Sequence, residues 1–172
     1  MQTAIRLGSL APEMTHPDFI PLQIAVNALG GYFGSRLNMD LRETRGLTYG
    51  VGAALVPMKN HSVLSVGTEV EAEHTAEAVE AIELEMRKLA ANPPCDEELQ
   101  TLITYLSGSF LRSVDGSFAL SERIRSVNDF GLDHRFYSKY LRALQTITPE
   151  TIGRMASTYM TPATMTVVRV GK

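Results

Sequence analysis

Two side chains of this sequence, Arg42 and Tyr49, have the chemistry and spacing to hold an oxygen-bearing ligand together. They lie in the stretch 30–52, GGYFGSRLNMDLRETRGLTYGVG, which predicts a glycine turn, a short helix opened by Ser35 and a strand that begins near Thr48. The connection between helix and strand can aim a guanidinium and a phenol at one carbonyl oxygen or carboxylate. In the alternative interpretation, Arg42 caps the helix C-terminus and Tyr49 packs on a sheet.

Other catalytic signals are missing from the sequence. The single cysteine, Cys95, excludes an internal disulfide and a thiolate cluster, and it stands where a helix start is expected. No two of the four histidines share a helical turn, so we expect no zinc held by this chain alone: His16, His61, His74 and His134. His74 begins an H-x-x-E pattern, but Ala78 stands where an inverted zinc motif requires histidine, and we interpret His74 as a surface residue at a helix start.

Composition limits the classes to which the protein can belong. With 172 residues, 44% hydrophobic and 20% charged, the chain predicts one globular domain over residues 1–172. A net charge of −3 without a clustered basic face argues against a nucleic-acid partner. No stretch approaches the roughly 18 apolar residues of a membrane span, so we expect a soluble protein.

The elements around the stretch 30–52 follow from apolar periodicity. Alternating residues predict strands over 2–9, 48–56, 62–70 and 165–170, with the second and third forming an antiparallel pair. Helical spacing, caps and glycine or proline stops predict helices that begin near these residues: Asp18, Thr75, Cys95, Ser117, Asp133 and Thr148. Consecutive helices between antiparallel strands predict an α+β fold, an antiparallel sheet with helices packed on one face.

The stretch 29–53, LGGYFGSRLNMDLRETRGLTYGVGA, resembles a segment of the C-terminal, non-zinc half of the pitrilysin-type metallopeptidases. That family includes insulin-degrading enzyme and the mitochondrial processing peptidases. The resemblance is carried by the glycine pair followed by S-R-L, L-R-E and G-L-T-Y in one register. It extends over nearly the whole chain, from the opening QTAIRLG strand through the helix starts to the final VVRVG strand.

The resemblance implies a half-domain of the inverzincin type, in an enzyme whose two related domains enclose a chamber. Zinc is then expected in an N-terminal domain with an HxxEH motif, outside this chain, because the corresponding helix here, 19–30, contains no histidine. The resemblance also implies that Arg42 and Tyr49, with six residues between them, reach the substrate backbone and the oxygen that becomes negative during hydrolysis. Arg45 fits the family spacing less well and is expected to face solvent.

We therefore expect the accessory half of a zinc metalloendopeptidase, which binds peptide through Arg42 and Tyr49 and is inactive alone. Its expected partners are the HxxEH zinc domain, on the same polypeptide or another subunit, and a peptide substrate; it is expected to hold no metal or cofactor itself. The strand after Tyr49 offers an edge to an extended peptide. The alternative is a non-catalytic scaffold or peptide-binding subunit of the same fold. Closer likeness to bacterial two-domain relatives favours the bacterial cytoplasm or periplasm.

Overall fold

The strands of this protein form a sheet whose two faces differ in polarity and exposure. The computed structural model describes residues 1–171 and contains these strands: β1 (Gln2–Ala11), β2 (Val51–Pro57), β3 (Ser62–Glu71) and β4 (Thr166–Val170). Neighbouring strands are antiparallel, in the order β2-β3-β1-β4. The first strand of the chain is therefore central, because it pairs with both β3 and β4, and β2 lies at an edge.

Helices occupy most of the remaining chain. Their bounds are α1 (Phe19–Gly30), α2 (Thr75–Ala91), α3 (Asp96–Ser113), α4 (Ser117–Asn128), α5 (Arg135–Thr146) and α6 (Pro149–Tyr159). A seven-residue π-helix, Asn38–Thr44, lies between α1 and β2. The α+β class predicted from the sequence, an antiparallel sheet with helices packed on one face, is confirmed.

One face of the sheet is buried under the helices. On β1, Ile5 and Leu7 point inward, and on β3 Leu64 and Val66 do the same. They pack in one core with apolar residues of α1 and α2, including Leu22, Ile82 and Met86. Burial of each such side chain stabilises the fold by about 1.5–3 kcal/mol. This buried face therefore fixes the register of the strands.

The other face of the sheet remains open. Its residues alternate with the buried ones and are exposed: Arg6 on β1, Gly52 and Ala54 on β2, Glu69 on β3 and Val168 on β4. The register places Arg6 opposite Gly67 of β3 on one side and Val168 on the other. This open face includes the end of the sheet where β2 begins at Val51, two residues after Tyr49.

A cap explains where α6 begins, and a glycine explains how closely α1 packs on the sheet. Thr148 accepts a hydrogen bond from the backbone N–H of Thr151 at 3.3 Å, so it is the N-cap predicted for α6, and Pro149 follows it. At the end of α1, Gly30 lies so close to β2 that a Cβ there would come within 2.8 Å of the backbone nitrogen of Ala53. The glycine thus allows the close approach of α1 to β2.

Two predictions for the stretch 30–52 need correction. The strand predicted from Thr48 begins at Val51, because the Thr48 hydroxyl occupies the place of a ladder partner, 2.8 Å from the carbonyl oxygen of Glu69. The short helix opened by Ser35 widens into a π-helix, as shown by the Arg45 N–H, which donates to the Asp40 carbonyl at 2.9 Å.

Candidate functional site

Tyr49 lies at the start of the open face, on backbone that is tied to the sheet. The residue is 94% exposed. The residue before it, Thr48, places its hydroxyl 2.8 Å from the Glu69 carbonyl oxygen and 2.9 Å from the Thr68 hydroxyl. The Gly50 N–H donates to the same Thr48 oxygen at 3.2 Å. The backbone on both sides of Tyr49 is therefore fixed while its phenol is free to contact a ligand.

Arg42 lies near the end of the π-helix and also faces solvent, with its side chain 40% exposed. Its guanidinium carbon lies 4.8 Å from the centroid of the Phe33 ring, a cation–π distance. Its Nε lies 3.3 Å from Glu43 Oε1. The stacking on Phe33 orients the guanidinium, and the exposed ion pair with Glu43 is weak enough to be exchanged for a ligand.

Asn38 joins the element of Arg42 to that of Tyr49. Asn38 is 8% exposed, and its side-chain amide donates to the carbonyl oxygens of Val51, at 2.9 Å, and Tyr32, at 3.1 Å. Its oxygen accepts a longer bond of 3.5 Å from the Val51 N–H. Asn38 thus pairs with the first residue of β2 as a neighbouring strand would. Sequence reasoning missed this residue, since a buried asparagine gives no local signal.

Arg45, the competing arginine, is exposed as predicted, but its guanidinium is already paired. Its Nε donates to Asp40 at 2.9 Å, and its Nη1 lies 3.3 Å from Glu77 of α2. The hydrogen bond with Asp40, and then its charge, raise the pKa of Arg45 above its usual value. Arg45 therefore links the π-helix to α2, and Arg42 is the arginine of this segment with weaker attachments.

The described residues bring Arg42 and Tyr49 to exposed surface, but no hydrogen bond joins the two within residues 1–171. Tyr49 lines an open depression on the sheet, together with Arg6, Gly67 and Glu69. Arg42 does not line that depression. The convergence of Arg42 and Tyr49 on one point stays a prediction.

One group of potential metal ligands lies close to Tyr49. The ligand atoms of Glu71, Glu73 and His74 lie within 4.8 Å of one another, and both carboxylates are exposed. His74 is the N-cap residue of α2, as predicted, and its Nδ1 lies 3.5 Å from Glu77. A peptidase zinc centre does not fit this group, because it offers one imidazole at the surface and no enclosed open coordination position.

The helix that would carry a zinc motif also lacks the ligands. Within α1, the buried positions are held by Phe19, Leu22, Ile24 and other apolar residues, and its polar residues Gln23 and Asn27 are only half-buried. Such a surface packs against β2 and α6 and holds no cation. Zinc chemistry at this site therefore requires ligands from outside the described chain.

The geometry also determines how a peptide could approach. β2 is an edge strand of the sheet, as the prediction of a free edge after Tyr49 requires. An edge strand offers backbone N–H and C=O groups to an extended chain.

Among residues 1–171, no helix is both long enough and apolar enough to span a lipid bilayer.

Comparison with known proteins supports a peptidase relationship. The model of the family described as the peptidase M16 inactive domain matches residues 1–106 of this chain. The chain is 28% identical over 156 residues to an uncharacterized zinc protease of Mycobacterium tuberculosis, over 90% of this chain and 35% of that protein. It is 24% identical over 156 residues to the uncharacterized zinc protease YmxG of Bacillus subtilis, over 90% of this chain and 38% of that protein. The chain thus spans just over a third of the length of these curated relatives.

Solved structures share the fold. The peptidase M16 inactive domain from Pseudomonas fluorescens superposes with a TM-score of 0.88 at 24% identity, over 98% of this chain and 40% of that one. A protease from Helicobacter pylori superposes with a TM-score of 0.91 at 18% identity, over 99% of this chain and 41% of that one. These matches cover the sheet and the helices together.

Proposed function

This chain belongs to the peptidase M16 inactive-domain family, and we propose that residues 1–172 act as the accessory half of a zinc metalloendopeptidase. The zinc is held by an HxxEH domain outside this chain, on the same polypeptide or on a partner subunit. This chain supplies Arg42 and Tyr49, which bind the peptide and stabilise the oxyanion. The observation that carries the proposal is the 94% exposed Tyr49 on backbone fixed by Thr48.

The side chains of this chain contribute hydrogen-bond donors to the reaction. When bound in its own domain, the zinc supplies an activated water for peptide hydrolysis. Tyr49 donates its O–H and Arg42 its N–H groups to the carbonyl oxygen of the bond that is cleaved. Donors that are already in place where negative charge develops lower the barrier, and loss of one donor typically costs about 100–1000-fold in turnover.

The arrangement around Arg42 suits a residue that must meet a substrate brought by another domain. Within residues 1–171 the terminal nitrogens of Arg42 donate no hydrogen bond, and its Nε contact with Glu43 is exposed. An extended peptide that pairs with the edge of β2 passes next to Tyr49. This mode binds the peptide backbone and therefore accepts varied sequences.

The test uses the complete protease, with its zinc domain, and a quenched fluorogenic peptide. We expect Tyr49→Phe, which removes one O–H, and Arg42→Ala to lower kcat by about 100-fold each, while the zinc content stays unchanged. Matched controls are Tyr140→Phe, whose ring packs on Phe110 of α3, and Arg125→Ala, an arginine paired on the surface of α4. Both controls should retain wild-type kcat.

Two results would contradict the proposal. Unaltered kcat in both the Tyr49→Phe and the Arg42→Ala protease would leave the chain as a non-catalytic scaffold of the same fold. One tight zinc per copy of residues 1–172, measured by metal analysis of this chain alone, would place the metal inside it.

A further inference from the structure

An arginine other than Arg42, Arg6, lines the same open depression as Tyr49. This depression on the exposed sheet face has a volume of about 410 Å³, and Tyr49, Arg6 and Glu69 are among its lining residues. Arg6 belongs to the central strand β1, and it lies opposite Gly67 of β3. The only charged residues in the lining are Arg6 and Glu69. The depression therefore offers a phenol, a guanidinium and a carboxylate on a rigid sheet.

The guanidinium of Arg6 is fixed across the sheet. Its Nη1 donates to the carbonyl oxygens of Ile5, at 2.8 Å, and Thr68, at 3.2 Å. It lies over Gly67, where an added Cβ would come within 3.1–3.3 Å of the Arg6 Cδ, Nε and Cζ atoms. The glycine thus allows the arginine to lie flat on the strands, and the two bonds hold its plane in place.

The other donors of this guanidinium remain available. Nη2 lies 4.0 Å from Glu69 Oε1, which is longer than a hydrogen bond, and within residues 1–171 neither Nε nor Nη2 donates one. The side chain is 54% exposed. An arginine held on one edge with free N–H groups on another is preorganised to bind an oxygen acceptor, because little rotamer freedom remains to be lost.

We propose that Arg6 is a substrate-positioning residue that binds, beside Tyr49, a backbone carbonyl of an extended peptide on the open face of the sheet. This inference rests on the proposed function and names a further contact of the same peptide. Because β3 lies between β2 and the strand of Arg6, the contact is made by the part of the peptide that crosses the open face, not by the part that pairs with the edge of β2. The backbone is the ligand because the charges of Arg6 and Glu69 offset each other, so the depression favours neither an acidic nor a basic side chain. Gly52, on the far side of Gly67 from Arg6, has open space in front of it, so a peptide backbone can come close there.

The experiment measures KM and kcat of the complete protease for two quenched fluorogenic peptides that differ by glutamate or lysine at one position. We expect Arg6→Ala to raise KM about tenfold for both peptides with kcat unchanged, because a charge-assisted hydrogen bond that contributes equally to substrate and transition state affects binding alone. Arg6→Lys should recover part of the loss, since lysine keeps the charge without the planar group. The matched control is Arg87→Ala, whose side chain is 55% exposed and pairs with Glu83 on α2.

A second variant reaches the same donors without changing Arg6. Gly67→Val places a β-branched side chain, which suits a strand, against the guanidinium at the 3.1–3.3 Å contacts above. It should displace the guanidinium and raise KM as Arg6→Ala does, and the mid-point of thermal unfolding identifies any variant that fails to fold. The agreement of the two variants separates loss of the donors from loss of the strand.

The outcomes separate this inference from the proposed function. Unchanged KM in folded Arg6→Ala and Gly67→Val overturns the inference, and a rise confined to the glutamate peptide overturns the backbone assignment in favour of a carboxylate. An equal rise of KM in the Arg87→Ala control would show that the effect is not specific to Arg6 and would also refute the inference. The oxyanion role in the proposed function is tested by kcat in the Arg42 and Tyr49 variants. A raised KM with Arg6 and an unchanged kcat with those two would therefore refute the oxyanion role and retain the peptide contact of Arg6, whereas the opposite pair of results would refute the contact alone.

Discussion

Replacing Asn38 by alanine should destabilise the protein by more than the loss of one hydrogen bond would. The Asn38 amide pairs with both backbone groups of Val51, and Val51 is 6% exposed. Its removal leaves a carbonyl and an N–H at the start of β2 without these partners, and water has little access to them. The bond to the Tyr32 carbonyl is also lost, but that oxygen still accepts from the Ser35 N–H at 3.1 Å.

The magnitude follows from these contacts. A buried polar group left without its partner costs about 1–3 kcal/mol. The Val51 carbonyl loses a bond of 2.9 Å and the Val51 N–H a weaker one of 3.5 Å, so we expect Asn38→Ala to lower the free energy of unfolding by about 2–4 kcal/mol. For a chain of this size this corresponds to a fall in Tm on the order of 10 °C.

Urea denaturation followed by circular dichroism measures the effect, since the free energy of unfolding is read from the midpoint at unchanged slope. Asn27→Ala is the matched control, because Asn27 makes one local bond, to the Gln23 carbonyl at 2.8 Å, and we expect it to cost less than about 1 kcal/mol. If Asn38→Ala costs no more than Asn27→Ala, the argument that Asn38 fixes the start of β2 is refuted.

Three further predictions concern other parts of the chain. Gly30→Ala should cost about 1–3 kcal/mol in urea denaturation, because its Cβ would meet β2 within 2.8 Å, whereas Gly8→Ala, whose nearest contact is 3.6 Å away, should cost less. Ser62→Ala should leave stability unchanged or raise it by up to about 1 kcal/mol, because the buried Ser62 hydroxyl has no hydrogen-bond partner within residues 1–171; a clear loss would contradict this. The hydrogen bond from Arg135 lowers the pKa of Asp133 from 3.8 to about 2. This pair therefore contributes stability at pH values above the usual carboxyl pKa, and that contribution is lost as the pH falls towards 2. NMR titration of Asp133 should show this midpoint, and Arg135→Gln should raise it; an unmoved midpoint would contradict the assigned cause.

The helices could be predicted closely from the sequence because their signals are local. The start predicted near Thr75 for α2 is the one observed, and its inward residues, such as Ile82 and Met86, recur at the helical period. The Thr148 cap placed the start of α6 correctly. Apolar spacing and cap residues act within one or two turns, so no distant contact can change them easily.

The connection between α1 and β2 could not be predicted in the same way, because distant residues determine it. β2 starts at Val51 because Thr48 bonds to Glu69 and Thr68, about twenty residues further along the chain. The π-helix before it is held by Arg45, which pairs with Glu77 of α2. The wider turn of a π-helix, with i→i+5 hydrogen bonds, changes apolar spacing little over seven residues, so the sequence alone does not distinguish it from an α-helix.

The candidate site was predictable only in part. Arg42 and Tyr49 follow from the spacing within the family-like stretch, and the structure places both at the surface. Arg6 gave no signal, because it is one outward residue of an alternating strand. Its position beside Tyr49 arises from the pairing of β1 with β3, a register that places Arg6 over Gly67.

The two faces of the sheet make the functional experiments interpretable. Inward residues such as Leu7 and Val66 hold the register, whereas Arg6 and Tyr49 are more than half exposed. Exposed substitutions usually change stability by less than about 0.5 kcal/mol, so Arg6→Ala and Tyr49→Phe should alter KM or kcat without lowering Tm appreciably. Asn38→Ala should have the opposite effect: it should lower Tm, because the hydrogen bonds to the Val51 backbone are lost. If all three variants lowered Tm equally, the open face would be part of what stabilises the fold, and changes in catalysis there would carry no information about peptide binding.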